Sequence, residues 1–168
     1  EVAAVHGHAG VLMWKLYGHD RAHDALRTAL LARGFEENDP STLMAAAVDT
    51  VIAALPARAP GPLTARQLTT VPDLDAYQAI WDDIWPGAPN ARYVNDYKSR
   101  IEQGDPGVLF FAGFAPDGEG VTSGYMFHHP GDPFALLCGG GTKTAWRQQH
   151  AYTLMLTVRA QAARARGA

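Results

Sequence analysis

The chain has 168 residues, of which 47% are hydrophobic and 18% charged, and its formal net charge is −3. This composition is that of a folded protein, because disordered chains have too few apolar residues to build a core. The acidic balance leaves no excess of cations to neutralise a phosphate backbone, so a dedicated nucleic-acid-binding protein is not expected. The single cysteine, Cys138, excludes an internal disulfide and any zinc site built from several cysteines.

The sequence contains no membrane or export signal that we can identify. No apolar run approaches the ~20 residues of a membrane span, and the first residues, EVAAV, lack the layout of a signal peptide. We therefore expect a soluble, cytoplasmic protein. Because the sequence starts without Met and stops at Arg-Gly-Ala, we also expect it to be a piece of a longer chain.

A connector rich in proline and glycine divides the chain. Residues 55–62 read LPARAPGP, a composition that favours an extended link over a helix or a central strand. The predicted organisation is an accessory segment over residues 1–56, a linker over 57–62 and a main domain over 63–168.

The accessory segment is predicted to contain a strand and a helix. Residues 11–17 are short and apolar, as in a buried strand, and residues 22–33 have an apolar face with helical spacing. Asp20 can cap this helix and Gly34 can end it. Residues 43–55 predict a further helix from their alanines, while their β-branched residues leave a strand open.

The main domain begins with predicted helices and continues with predicted strands. A strand candidate over residues 65–71 precedes helices over 74–85 and 91–103. Short polar turns then separate three β-rich runs, which predict an antiparallel meander. These runs are residues 108–115, 121–129 and 134–138.

The last predicted helix, over residues 147–166, has the clearest apolar stripe in the sequence. Arg159, Arg164 and Arg166 are expected to lie near its negative C-terminal end. The junction before this helix contains three consecutive glycines at positions 139–141, which allow a strand bulge or a close approach of backbone to a ligand. A helix start with a nearby Arg147 suits an anion, so the residues alone predict a phosphate-bearing ligand at positions 141–152.

Over residues 63–168 this order of elements resembles the GNAT superfamily of acetyl-CoA-dependent N-acetyltransferases. The resemblance implies an α/β fold with a mixed, mostly antiparallel sheet flanked by helices, preceded here by the accessory strand and helix. In that family, a strand and the loop after it hold the pantetheine arm and the pyrophosphate of the cofactor. The positions that match are Gly139, Gly141, Thr142, Lys143, Arg147, Gln148, Gln149, His150, Ala151 and Tyr152.

The sequence departs from the family pattern in the loop and in its length. His150 stands where the first loop glycine is expected, and Tyr152 stands where the final glycine or alanine is expected. The strand and helix that close the family's sheet do not follow Ala168. Residues 11–35 have the order of that closing section, so we interpret them as the remnant of a preceding domain, with filling of the vacant place in the sheet as the alternative.

Candidate catalytic residues are the two histidines at the end of the second meander strand. Since neighbouring strand residues face opposite sides, one of His128 and His129 can point into a cleft and accept a proton from an amine. The alternative is a pair of exposed histidines beside a turn. His19 and His23 have the spacing of metal ligands on a helix, but the sequence offers no third ligand, so no metal site is predicted.

The resemblance implies transfer of an acetyl group from acetyl-CoA to a primary amine, with acetyl-CoA as cosubstrate and no metal. The expected partners are acetyl-CoA and an amine acceptor, without nucleic acid or membrane, and with a homodimer as a possible assembly. The rival interpretation is a non-catalytic module of the same fold that binds an acyl-CoA or a protein partner.

Overall fold

The structure is a computed structural model that describes residues 14–37, 44–55, 61–88, 90–105 and 107–168. The chain is divided into two compact units, residues Glu1–Met44 and residues Ala45–Ala168. The helix predicted within residues 43–55 belongs to the second unit. The predicted linker stays a prediction, since its residues 57–60 lie outside the described residues.

The first unit contains helix α1, His23–Leu31, close to its predicted bounds. The carboxylate of Asp20 accepts a hydrogen bond from the backbone N–H of Ala22 at 3.2 Å. Gly34 ends the helix with a φ of 82°, as the sequence predicted. The strand predicted over residues 11–17 is absent from its described part, since residues 14–17 have no strand pairing; residues 11–13 lie outside the described residues.

The second unit is built on a four-stranded sheet in the order β1-β2-β3-β4, in which each strand pairs antiparallel with the next. The predicted meander is thus confirmed, and the described sheet is antiparallel throughout rather than mixed. The strands are β1 Thr64–Leu68, β2 Val108–Phe114, β3 Gly120–Phe127 and β4 Leu136–Thr142.

Four helices flank this sheet, which confirms the α/β class. Three of them agree with the sequence analysis, although the first begins later than predicted. The fourth, predicted from residue 147, begins only at residue 151. The helices are α2 Val48–Ala54, α3 Asp73–Ile84, α4 Asn90–Glu102 and α5 Ala151–Ala165.

The helices cover opposite faces of the sheet. Phe110 and Ala112 of β2 are buried in a core with α3 and α4, whereas Leu109 and Phe111 are buried with Met155 of α5. Because successive side chains of a strand point to opposite faces, α3 and α4 lie on one face and α5 on the other.

The α3–α4 face contains a cluster of aromatic rings, here called the aromatic cluster. The ring centroids of neighbouring members lie 4.7 to 6.5 Å apart, in the range of favourable ring–ring contacts. Its members are Tyr77, Trp81, Tyr97, Phe110 and Tyr125.

Strand β4 contains a bulge at the consecutive glycines. Ser123 pairs with Gly141 and Tyr125 pairs with Cys138, so two residues of β4 lie opposite one residue of β3. Gly139 has a φ of 54°, a left-handed conformation that glycine adopts without steric penalty. The sequence left two roles open for these glycines, a strand bulge or a close approach of the backbone to a ligand. The structure confirms the bulge.

Candidate functional site

The loop between β4 and α5 has an irregular backbone. A single 3-10 turn, Thr144–Trp146, follows the strand, and then Gln148 and His150 both adopt a φ of 60°. A left-handed conformation at residues other than glycine is unfavourable by roughly 1–2 kcal/mol each. It also interrupts a helix, which is why α5 begins at Ala151 instead of the predicted Arg147.

The first turn of α5 has backbone N–H groups that the helix itself does not use. No side chain caps this end, and the first regular bond runs from the N–H of Leu154 to the carbonyl of His150 at 2.9 Å. The N–H groups of the preceding helical residues point out of the helix end. Together with the helix dipole, they make this end attractive to an anion.

A cavity of about 250 Å³ lies at this helix start. It contains six of the ten positions that the sequence assigned to cofactor binding: Thr142, Arg147, Gln148, His150, Ala151 and Tyr152. Trp146 and Thr153 complete its lining, and the sequence analysis did not assign them. The other four assigned positions, Gly139, Gly141, Lys143 and Gln149, do not line this cavity.

Arg147 is the cation of this cavity. Its side chain is exposed, and its Nε donates a hydrogen bond to the carbonyl of Thr142 at 3.3 Å. Lys143, in contrast, faces carboxylates: its Nζ lies 3.0 Å from Glu119 Oε1 and 3.8 Å from Asp83 Oδ2. Because its charge is already matched, Lys143 contributes little attraction to an anion at the helix start.

The other predicted binding residues have local roles. The side-chain amide of Gln149 donates to the carbonyl of Ala145 at 2.8 Å. Gly139 and Gly141 lie against the α3 side of the sheet, where an added Cβ would collide with the Tyr125 ring at position 139 and come within 2.8 Å of the Trp85 ring at position 141. Glycine at these two positions lets β4 approach large aromatic side chains.

The two candidate catalytic histidines have different surroundings. His128 is buried: its Nε2 donates to the carbonyl of Asp132 at 3.1 Å, and its Nδ1 accepts from Arg166 Nε at 3.3 Å. These partners occupy both ring nitrogens of a neutral imidazole. His129 is exposed, and its ring lies against the backbone of Gly107.

Arg159 is a site residue that the sequence analysis missed. Instead of lying near the helix end, its side chain is 1% exposed beneath the sheet. Nη1 donates to the carbonyl of Cys138 at 3.1 Å and to that of Tyr125 at 3.4 Å. The available signal was its spacing, because Arg159 follows the buried Met155 by four residues and therefore lies on the apolar stripe. Arg164 is exposed and Arg166 is half-buried.

The phenols of the aromatic cluster stay protonated. Burial raises the pKa of Tyr77, Tyr97 and Tyr125 above the usual range. Neighbouring phenols add to this rise at Tyr77 and Tyr97, whereas the hydrogen bond with Tyr97 opposes it at Tyr125. Neutral phenols can donate hydrogen bonds but cannot accept a proton as a base at physiological pH. This face therefore offers no proton acceptor from its tyrosines.

Within the described part of the chain, no group of three or more His, Cys, Asp or Glu side chains is arranged to hold a metal ion. His23 Nδ1 lies 2.9 Å from the carboxylate of the adjacent Asp24. None of the described helices has the length and apolar character needed to cross a bilayer.

Comparison with known proteins gives matches among solved structures only. No family model matches the sequence, and no curated protein matches it. The matched structures named here are all acetyltransferases, and one of them is a GCN5-related N-acetyltransferase, from Kribbella flavida.

The individual similarities are partial. The aminoglycoside N-acetyltransferase AAC(6')-Iy, in complex with a CoA bisubstrate analogue, is 16% identical; the match covers 62% of this chain and 73% of that one, with a TM-score of 0.49. An acetyltransferase from Trypanosoma brucei is 15% identical over 62% and 77%, with a TM-score of 0.47. The Kribbella flavida protein is 16% identical over 63% and 28%, with a TM-score of 0.47.

Proposed function

We propose that this chain binds a CoA thioester and transfers its acyl group, acetyl in the first instance, to a primary amine. The observation that carries the proposal is the start of α5, where uncapped backbone N–H groups and the exposed Arg147 face one cavity. A site of this kind favours a phosphate ester.

The size of the cavity suits one part of a long ligand. Whole-ligand sites occupy roughly 300–1,000 Å³, whereas this cavity measures about 250 Å³. A diphosphate held at the first turn of α5 would leave the rest of the molecule outside the cavity. Strand β4, which leads to the cavity, pairs only with β3 among the described strands, so its other edge has backbone groups available to an extended arm.

The reaction needs few groups from the protein. The amine nitrogen attacks the thioester carbonyl carbon, the new C–N bond forms as the C–S bond breaks, and the CoA sulfur leaves as a thiol after taking a proton. Backbone N–H groups near the β4 bulge would stabilise the carbonyl oxygen as negative charge develops on it. The amine also loses a proton, which a nearby base or water must accept.

His128 and His129 are the proposed acceptors of that proton, directly or through a water. Of the two, His129 has the more accessible ring, since His128 is buried with both ring nitrogens engaged. The buried state of His128 favours the second candidate function, a non-catalytic module that binds an acyl-CoA. Neither candidate function specifies which amine is the acceptor.

A thiol-release assay separates the two candidates. The purified chain is incubated with acetyl-CoA and a panel of primary amines, namely a peptide N-terminus, a small polyamine and an aminoglycoside. An amine-dependent release of CoA thiol that falls in the Arg147→Ala variant would support the enzyme. Binding of CoA without thiol release would support the module, and absence of CoA binding would contradict both.

A further inference from the structure

Arg159 has unused hydrogen-bonding capacity in the protein interior. Its Nε donates to the carbonyl of Met155 at 3.1 Å, and Nη1 donates to the carbonyls of Cys138 and Tyr125. Nη2 is buried and has no hydrogen-bond partner. All of its acceptors are neutral carbonyls, and within the described residues the guanidinium forms no ion pair.

A buried guanidinium without a carboxylate partner is unusual. Buried charges in proteins are normally paired, because removal of an ion from water is costly and an attached counter-charge offsets the cost. Buried donors are also normally matched with acceptors. The free Nη2 therefore marks a place where an anion from outside the described residues would be stabilised.

Two glycines let the strands pack directly against this guanidinium. A Cβ added at Gly124 would lie 2.8 Å from Nη1, and one added at Gly140 would lie 3.1 Å from Nη2 and 2.8 Å from the Tyr152 ring. The centre of the guanidinium lies 6.0 Å from the centroid of that ring. Gly124, Gly140, Tyr152 and Arg159 thus lie closely packed beneath the β4 bulge. This group, with the half-exposed Tyr152 ring on its outer side, is here called the guanidinium slot.

The guanidinium slot lies next to the proposed CoA site. The ring of Tyr152, which is half exposed, belongs to both the slot and the cavity at the start of α5. Arg159 is eight residues further along the helix than Ala151, which is about 12 Å at 1.5 Å per residue. A ligand with its phosphates at the helix start and its arm along β4 would bring its far end to the slot.

We propose that Nη2 of Arg159 receives the terminal carboxylate of the acyl group, so that the chain prefers an acid-terminated acyl-CoA, such as a succinyl or malonyl thioester, to acetyl-CoA. This inference rests on the proposed function and names its substrate class. A carboxylate supplies the negative charge that the buried guanidinium lacks, and an acetyl group cannot.

Calorimetric titration of the full chain with four probes tests the proposal: CoA, acetyl-CoA, succinyl-CoA and free succinate. We expect succinyl-CoA to bind at least about ten-fold more tightly than acetyl-CoA, the effect of one charge-assisted hydrogen bond. Equal affinities for the two thioesters would overturn the preference while leaving the proposed function intact. Absence of binding by CoA itself would contradict the proposed function. Tight binding of free succinate would contradict the assignment of the slot to an acyl group.

Two variants and a matched control assign the preference to the slot. Arg159→Gln removes the charge and should abolish the preference for succinyl-CoA, whereas Arg164→Gln on the exposed side of the same helix should keep it. If Arg159→Gln does not fold, Gly140→Ala is the second variant, because its added methyl group lies beside Nη2 and leaves the charge unchanged. It should weaken the binding of succinyl-CoA more than the binding of CoA. A preference that survives both slot variants would refute the role of Arg159.

Discussion

The two faces of the sheet differ in what they bury. The face covered by α3 and α4 contains the aromatic cluster, whose rings fill the space between the helices and the strands. The face covered by α5 buries smaller side chains and a guanidinium, and it borders the cavity at the start of that helix. One face is thus built for packing, and the other has space and positive charge for a ligand.

Strand β4 serves both faces through its consecutive glycines. Gly139 and Gly141 allow Tyr125 and Trp85 to pack against the strand from one side, while Gly140 leaves space for Arg159 on the other. A side chain at any of the three would meet an atom within about 3 Å. The same short segment therefore allows close packing on both faces of the sheet.

The largest effect is expected from removing a central ring of the packed face. Trp81 is 8% exposed and contacts several rings of the aromatic cluster. Trp81→Ala should lower the free energy of unfolding by about 3–5 kcal/mol, because the lost contacts leave a cavity. Urea unfolding followed by circular dichroism measures this loss. Tyr93, 44% exposed, is the control, and a Tyr93→Ala variant as unstable as Trp81→Ala would contradict the account of this face.

On the α5 face, the corresponding change should affect binding rather than stability. Arg147→Ala removes an exposed cation beside the uncapped helix start, so CoA should bind about ten- to a hundred-fold more weakly, as expected for the loss of a charge-assisted hydrogen bond. The free energy of unfolding should change by less than about 0.5 kcal/mol. Calorimetry measures the dissociation constant, with Arg164→Ala as the control. An unchanged constant in Arg147→Ala would place the phosphates elsewhere.

A smaller effect concerns the start of α3. Asp73 accepts hydrogen bonds from Arg66 Nη2 at 2.8 Å and from the N–H groups of Thr69 and Thr70. The Arg66 guanidinium and then these backbone donors hold the pKa of Asp73 well below its usual range. Its carboxylate therefore stabilises the fold above the unfolded-state pKa of about 3.9, and this contribution is lost as the pH falls below that value.

Asp73→Asn should accordingly cost about 1–2 kcal/mol of stability at pH 7, and the difference from the original chain should shrink at pH 3. Urea unfolding at the two pH values measures both quantities. Asp75→Asn is the control, since the Asp75 carboxylate is 70% exposed and pairs with Lys98 at the surface. A difference that is the same at pH 7 and pH 3 would show that the charge of Asp73 does not matter.

The smallest predicted effect is a gain in stability. His150 has a φ of 60° outside the helix, where glycine is free of steric penalty. His150→Gly should raise the free energy of unfolding by about 1 kcal/mol, and CoA binding should be kept or tightened. His150→Ala, which keeps the left-handed constraint while removing the ring, should give no such gain. Equal stability of the two variants would contradict the role of backbone strain.

Regular periodicity explains which parts of the fold were predictable. Helices α3 and α4 and the meander follow from apolar spacing and turn residues, and the structure confirms them. The start of α5 was predicted four residues early, because the residues before Ala151 have helical composition. The left-handed conformations of Gln148 and His150 interrupt the helix there. The sequence signals them only through the family pattern, which has glycine in this loop.

Burial of charge was the least predictable feature. Arg159 was expected near the end of its helix, and only the position of the sheet beneath α5 shows why an arginine is buried there: the carbonyls of Cys138 and Tyr125 at the β4 bulge accept its N–H groups. A bulge that frees acceptors and an arginine that uses them are distant in sequence, so local patterns do not connect them.

Phosphates are expected to bind at the start of α5 while the opposite face of the sheet stays unchanged. Two-dimensional NMR of the ¹⁵N-labelled chain during titration with CoA tests both parts at once. We expect the backbone amide signals of Arg147, Ala151, Tyr152 and Thr153 to shift with increasing CoA, and the indole signal of the buried Trp81 to stay in place. Shifts confined to the aromatic cluster, or no shifts at millimolar CoA, would contradict the account.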